Sequence, residues 1–161
     1  MIIRAAAPED HASIAAVVEA AFGRPDEARI VDGVRAEGAE LVELVAEDAG
    51  EIIGHVLFSR MSVSPPHFVA ALGPLAVAPR RQNRGAGTAL CRAGIGACRE
   101  LGAEVVVVLG HPAYYPRFGF SHAAAAKLAS PYAARSAFMA LALTDGALDE
   151  PLKVGYPAAF G

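Results

Sequence analysis

Acidic residues are missing from the middle of this chain. Of the 17 Asp and Glu side chains, 12 lie at or before Glu51, and none falls between Ile52 and Arg99, where Arg60, Arg80, Arg81, Arg84, Arg92 and Arg99 stand instead. A net charge of −3 argues against a nucleic-acid partner, but a central stretch without carboxylates tolerates an anionic ligand. Long apolar runs are missing too. The chain is 54% hydrophobic, yet no run approaches the ~18 residues of a membrane span, so no membrane partner is expected. Met1 to Ala5 is followed by an amphipathic pattern rather than the apolar core of a secretion signal, and a cytoplasmic protein is expected. Cysteines are few: Cys91 and Cys98 sit seven apart on an expected helix. That spacing separates them by about 10 Å of rise, beyond the ~7 Å reach of a disulfide, so two buried thiols are expected. No pair of His or Cys residues has ligand spacing, and no metal site is expected.

What is present reads as one domain, residues 1–161, long enough to bury about two-thirds of its unfolded surface. Ile2 to Ala5 suits a short strand. Pro8 opens a helix in which Ile14, Val17, Val18, Ala21 and Phe22 form one buried face, and Gly23 closes it. A second helix runs from Pro25 to about Glu37. From Leu41 the period switches to two, giving a hairpin of Leu41 to Glu47 and Glu51 to Val63 around a D-A-G turn. Phe68 to Val77 is the next strand, and Gly73 and Pro74 interrupt it, which predicts a bulge or a splayed edge. A helix then runs to about Leu101, and its Gly94 and Gly96 each cost about 1 kcal/mol against Ala unless close packing compensates. Val105 to Leu109 is a buried strand. A short helical piece at Tyr114 to Phe118, an Ala-rich loop from Ser121 to Ala137, and strands at Phe138 to Leu143 and Leu152 to Tyr156 complete the chain.

The segment A-P-R-R-Q-N-R-G-A-G-T-A-L, Ala78 to Leu90, follows a strand and begins a helix. A helix start leaves N–H groups without partners and carries about half a positive charge. Gly85 and Gly87 remove the side chains that would keep a phosphate from those donors, while Gln82, Arg84 and Thr88 add possible contacts. The segment has neither the lysine of a Walker loop nor the G-x-G-x-x-G spacing of a dinucleotide fingerprint. The bland alternative is a tight strand-to-helix turn.

The spacing Q/R-x-x-G-x-G/A resembles the acetyl-CoA-binding motif of the GNAT superfamily of N-acetyltransferases. Thirty residues on, Y-Y-P-R-F-G-F at Tyr114 to Phe120 resembles the second GNAT landmark, which bears the tyrosine that protonates the departing thiolate. With A-F-G-R-P-D-E-A-R-I-V at Ala20 to Val31, G-H-V-L-F-S at Gly54 to Ser59, L-G-P-L-A-V at Leu72 to Val77 and A-F-M-A-L-A-L at Ala137 to Leu143, the chain is similar to the YhbS-like branch.

The resemblance implies an α/β (α+β) GNAT-like fold: a mixed, mostly antiparallel sheet of about seven strands flanked by about four helices, with a V-shaped splay between the fourth and fifth strands. It implies acetyl-CoA as cosubstrate and a small-molecule or peptide amine as acceptor, which attacks the thioester directly in a ternary complex. The backbone of Leu75, Ala76 and Val77 would hold the pantetheine arm. Gln82, Asn83, Arg84, Gly85, Ala86, Gly87 and Thr88 would hold the pyrophosphate, with Arg117 and Phe118 completing the set. Arg80, Arg81 or Arg117 would reach the 3′-phosphate. Tyr115 aligns with the general acid, and Tyr114 is its substitute. Some relatives carry a glutamate base on the strand before the motif, whereas Phe68 to Val77 has no acid. His111 is the best placed histidine as base or relay, ahead of His67, His55, His11 and His122. Asp26, Glu27 and the Ser121 to Ala137 loop are expected to face the acceptor. The alternative is a non-catalytic acyl-CoA-binding module or sensor. A homodimer through a free C-terminal strand is possible on the same pattern.

Overall fold

A computed structural model describes residues 1–161. The main sheet has six strands in the order β1 (Ile2–Ala5), β2 (Glu40–Asp48), β3 (Glu51–Arg60), β5 (Val69–Val77), β6 (Val105–Leu109) and β8 (Phe138–Ala142). All neighbours are antiparallel except β5 and β6, which run parallel. A second sheet of three short strands has β9 (Leu152–Gly155) between β4 (Ser62–Ser64) and β7 (Leu128–Ala129). Three α-helices, α1 (His11–Phe22), α2 (Asp26–Ala36) and α3 (Ala86–Glu100), pack on the main sheet, and the short piece at Tyr115–Phe118 is a 3₁₀ turn.

Local chemistry explains most boundaries. Pro8 begins a 3₁₀ turn that leads into α1, and Gly23 ends that helix in the left-handed region at φ 72°, its N–H donating to Glu19 O at 2.8 Å. The β2–β3 hairpin turns on Ala49 and Gly50, both at positive φ, as a two-residue turn of primed type requires. At the β1 end, Arg4 spans Asp10 at 2.7 Å and Glu47 at 3.0 Å, fastening the entry to α1 onto β2.

The alternation of β5 and β6 divides the core. Ala70, Leu72, Val106 and Val108 face α3 together with Phe58, Leu90 and both cysteines; Val69, Ala71, Val105 and Val107 face the second sheet. Helices α1 and α2 lie on the face opposite α3, where Ile14, Val18, Val31, Val34 and Leu57 are buried. Cys91 and Cys98 are free and enclosed, and burial pushes both thiols up to about 12. Gly94 earns its place in α3 because a Cβ there would run into the Phe58 ring, whereas Gly96 has nothing within 4 Å. Close packing therefore accounts for one of the two helix glycines and not the other.

Two expectations about strands change. Glu51 to Val63 is not one strand: the chain leaves the main sheet near Met61 and Ser62–Ser64 pairs with β9 instead. The last strand is not free, since β9 is the middle of its small sheet; the edges of the main sheet are β1 and β8, and at β8 Ser121 bridges Ala140.

Candidate functional site

The pairing of β5 with β6 runs from Val69↔Val105 to Leu72↔Val108 and stops. Gly73, at φ 144°, and the cis peptide to Pro74 follow at once, and from there β5 keeps only β3 as a neighbour. Ala78 N–H donates to Ile53 O at 2.8 Å. Because successive residues of a strand turn to opposite edges, Leu75 and Val77 present their N–H and C=O to the open side while Ala76 faces β3. Gln82 Nε2 takes the Val77 carbonyl at 3.0 Å. The expected splay lies between the strands named for it, and Leu75 and Val77, rather than Ala76, supply its polar edge.

Helix α3 begins beside that edge. Gly85 is left-handed at φ 91° and no side chain caps the helix. Ala89 N–H is the first to reach back, to Gly85 O at 3.0 Å, so Ala86, Gly87 and Thr88 present free N–H groups. A Cβ on Gly87 would stand 3.3 Å from Tyr114 Oη and 3.6 Å from Val77 Cγ2, so the seat is narrow as well as bare.

Seat and splay open into one cleft of about 890 Å³. Of the residues assigned to CoA from sequence, Leu75, Val77, Gln82, Asn83, Gly85, Ala86, Gly87, Thr88 and Arg117 line it; Ala76, Arg84 and Phe118 do not. Ala76 is buried against α1, Arg84 points to solvent, and Phe118 packs edge-on against Tyr114 at 5.5 Å. The arginines do less at the seat than their number suggests. Arg80 pairs with Glu51 and Arg81 with Asp48, both across the β2–β3 turn. Arg117 donates to Tyr114 O at 2.8 Å and lies 4.1 Å over the Tyr114 ring.

The two tyrosines differ. Tyr114 Oη is 3.1 Å from Thr88 Oγ1. Tyr115 is buried against Phe120 and Gly110, where any Cβ would overlap its ring. Its hydroxyl makes no hydrogen bond and is not sealed, so it opens on the cleft. Burial raises its pKa well above the ordinary tyrosine value, and it stays protonated through the working pH range.

Among the histidines only His111 lines the cleft. His55 is fully buried with Nε2 2.7 Å from Glu43, His67 sits 3.2 Å from Glu104, and His122 Nδ1 is 2.9 Å from Phe138 O. No cluster of three His, Cys, Asp or Glu could hold a metal. Of the two acids expected near the acceptor, Glu27 lines the cleft and Asp26 does not. Arg24 grips both Glu27 oxygens at 2.9 and 2.6 Å and holds the carboxyl below its usual range.

On the face of the sheet away from α3 the cleft has walls that sequence reasoning passed over: Phe22, Ile30, Tyr132, Tyr156 and Phe160. Only Tyr132 lay in a segment assigned to the acceptor side. Their signal is faint, because they come from α1, α2, the loop after β7 and the segment that follows β9.

An uncapped helix start beside a parted pair of parallel strands is an arrangement for an extended anionic ligand. A model of the acetyltransferase (GNAT) family matches residues 11–120, from α1 through both tyrosines, and the chain belongs to that family. It is 36% identical to the uncharacterized N-acetyltransferase YhbS of Escherichia coli K12 over 152 residues, 92% of this chain and 91% of that protein. The crystal structure of Escherichia coli YhbS in complex with CoA superposes with a TM-score of 0.90 at 34% identity, covering 99% of this chain and 91% of that one. A GNAT acetyltransferase of Brucella melitensis in complex with acetyl-CoA gives 0.84 at 36% identity, covering 99% and 97%. No helix is long and apolar enough to cross a membrane.

Proposed function

We propose that this acetyltransferase moves an acetyl group from acetyl-CoA to a primary amine by direct attack within a ternary complex. The observation that carries the reading is that three features meet in one cleft: the bare N-terminus of α3, the unpaired edge of β5 and the protonated Tyr115 hydroxyl. Fit to CoA rests on Gly87, whose missing Cβ leaves room between Val77 and Tyr114, and on the complexes formed by the two relatives.

When bound, acetyl-CoA supplies an activated acyl group on a good leaving group. The chain supplies position and charge. The free N–H groups of Ala86, Gly87 and Thr88 hold the pyrophosphate, as helix starts do. Leu75 and Val77 give the pantetheine arm a strand edge to pair with, and the Val77 N–H is the donor for an oxygen gaining negative charge. Tyr115 Oη holds the proton that the leaving sulfur needs. Tyr114 braces the seat through Thr88. Glu27, ionised against Arg24, faces the acceptor ammonium, and His111 at the rim relays its proton to solvent. Fixing both reactants in one cleft supplies much of the acceleration.

A non-catalytic acyl-CoA sensor is favoured by one feature, the absence of any acid on β5 to serve as base. Free-thiol release from acetyl-CoA, followed with and without small amines, separates the two. Amine-dependent release supports the enzyme; tight CoA binding with no release from any amine leaves the sensor.

A further inference from the structure

The cleft passes through the sheet. Its α3 side carries the phosphate seat and Tyr115, and its opposite side carries the aromatic wall and Glu27. We infer, resting on the acyl-transfer reading above, that the acceptor is a monoamine with an aromatic or similarly flat apolar body, rather than a polyamine or an aminoglycoside.

The wall is built rather than incidental. After β9 the chain crosses α2 so closely that a Cβ on Gly33 would lie 2.7 Å from Ala159 Cβ. Glu37 fastens the crossing by accepting the N–H groups of Ala158 at 3.3 Å and Ala159 at 3.0 Å. The strap carries Phe160 onto Tyr156, ring centroids 5.2 Å apart, and Tyr156 meets Tyr132 edge-on at 5.6 Å. Tyr132 comes from the loop after β7, so the second sheet is what brings these rings to one place.

Charge narrows the ligand further. Glu27 is the only carboxylate lining the cleft, while Arg81, Arg117 and His111 also line it. One ammonium has one partner there. A second or third ammonium would lose water without gaining a carboxylate, a costly arrangement. Each Glu27 oxygen spends one hydrogen bond on Arg24 and keeps capacity to accept from an amine. The rings reward a flat apolar body with burial and aromatic contact.

The test compares kcat/KM for 2-phenylethylamine, ethylamine, spermidine and kanamycin at saturating acetyl-CoA, in wild type and in Phe160→Ala. Melting temperature with and without CoA is the control for folding and for the seat. The expected order puts 2-phenylethylamine about tenfold or more above ethylamine, as burial of a phenyl ring implies, and above both polycations. Phe160→Ala should lower the phenylethylamine-to-ethylamine ratio about fivefold, the size of one lost aromatic contact. Preference for spermidine or kanamycin, an unchanged ratio in the variant, or no turnover of either monoamine by a protein that CoA stabilises overturns the inference and leaves the CoA site standing. A variant that discriminates differently among acetyl-, butyryl- and benzoyl-CoA, but not among amines, also overturns it, by giving the wall to the acyl chain. Failure of CoA to raise the melting temperature removes the reading beneath it, and the inference falls with it.

Discussion

Tyr114 Oη and Thr88 Oγ1 stand 3.1 Å apart, and this contact joins the 3₁₀ turn after β6 to the first turn of α3. The phosphate seat and the tyrosine segment are thus one structure, although 26 residues separate the two partners. The contact also divides the labour between neighbouring tyrosines, since Tyr114 spends its hydroxyl on the seat and Tyr115 spends none.

Substitutions at the pair should therefore read out differently. Tyr115→Phe removes the proton donor and is expected to lower kcat by about a hundredfold, the lower range for general acid catalysis, with little change in KM for acetyl-CoA. Tyr114→Phe loosens the seat and is expected to raise that KM while kcat changes less. Steady-state kinetics of both variants check this, and the reverse pattern would move the acid to Tyr114.

Gly87→Ala places a methyl 3.3 Å from Tyr114 Oη and inside the gap beside Val77. CoA affinity should fall about tenfold, equivalent to roughly 1.4 kcal/mol, with the melting temperature of the free protein nearly unchanged. Titration calorimetry and a melting curve decide it; an affinity equal to wild type would remove the phosphate from this seat.

The two interior glycines of α3, Gly94 and Gly96, should respond with opposite signs. Gly94→Ala drives a methyl into the fully buried Phe58 ring and is expected to destabilise by about 1–3 kcal/mol, as overpacking does. Gly96→Ala meets nothing within 4 Å and should stabilise by about 0.5–1 kcal/mol through helix propensity. Urea unfolding of both variants measures the difference.

Acid should find a weak point at Glu43. Burial alone would raise this carboxyl, but hydrogen bonds from His55 at 2.7 Å and Arg35 at 2.5 Å outweigh it and bring the pKa down from 4.5 to about 2. A depressed folded pKa contributes stability that is complete above the unfolded value and lost as protons bind. Unfolding free energy should thus fall between pH 4.5 and about 2, and fall less steeply in Glu43→Gln. Equal slopes in the two proteins would contradict this.

Much of this architecture was legible because its causes are local. Gly73 and Pro74 weaken a ladder wherever they occur, and here they mark the point where β5 stays paired with β3 but parts from β6; Gly85 and Gly87 open a helix start whatever lies beyond it. The aromatic wall was illegible because Tyr132, Tyr156 and Phe160 share no period. They meet only through a sheet whose strands run two to four residues, too short for alternation to register. Helix phase explains the acids: Asp26 and Glu27 are adjacent, so one turn of α2 can bring only one of them to the cleft. The arginines misled in a simpler way. Arg80 and Arg81 read as a field around a phosphate, but the hairpin folds Glu51 and Asp48 onto them, which leaves the bare helix start as the proposed seat for the anion.

The most direct test of acyl transfer at this cleft is to quantify free thiol and acetylated 2-phenylethylamine in the same reaction, for wild type and Tyr115→Phe. The expected result is one acetylated amine per thiol released, at a rate about a hundredfold lower in the variant. Tight CoA binding with no thiol release dependent on any amine, or full activity in Tyr115→Phe, would contradict the account.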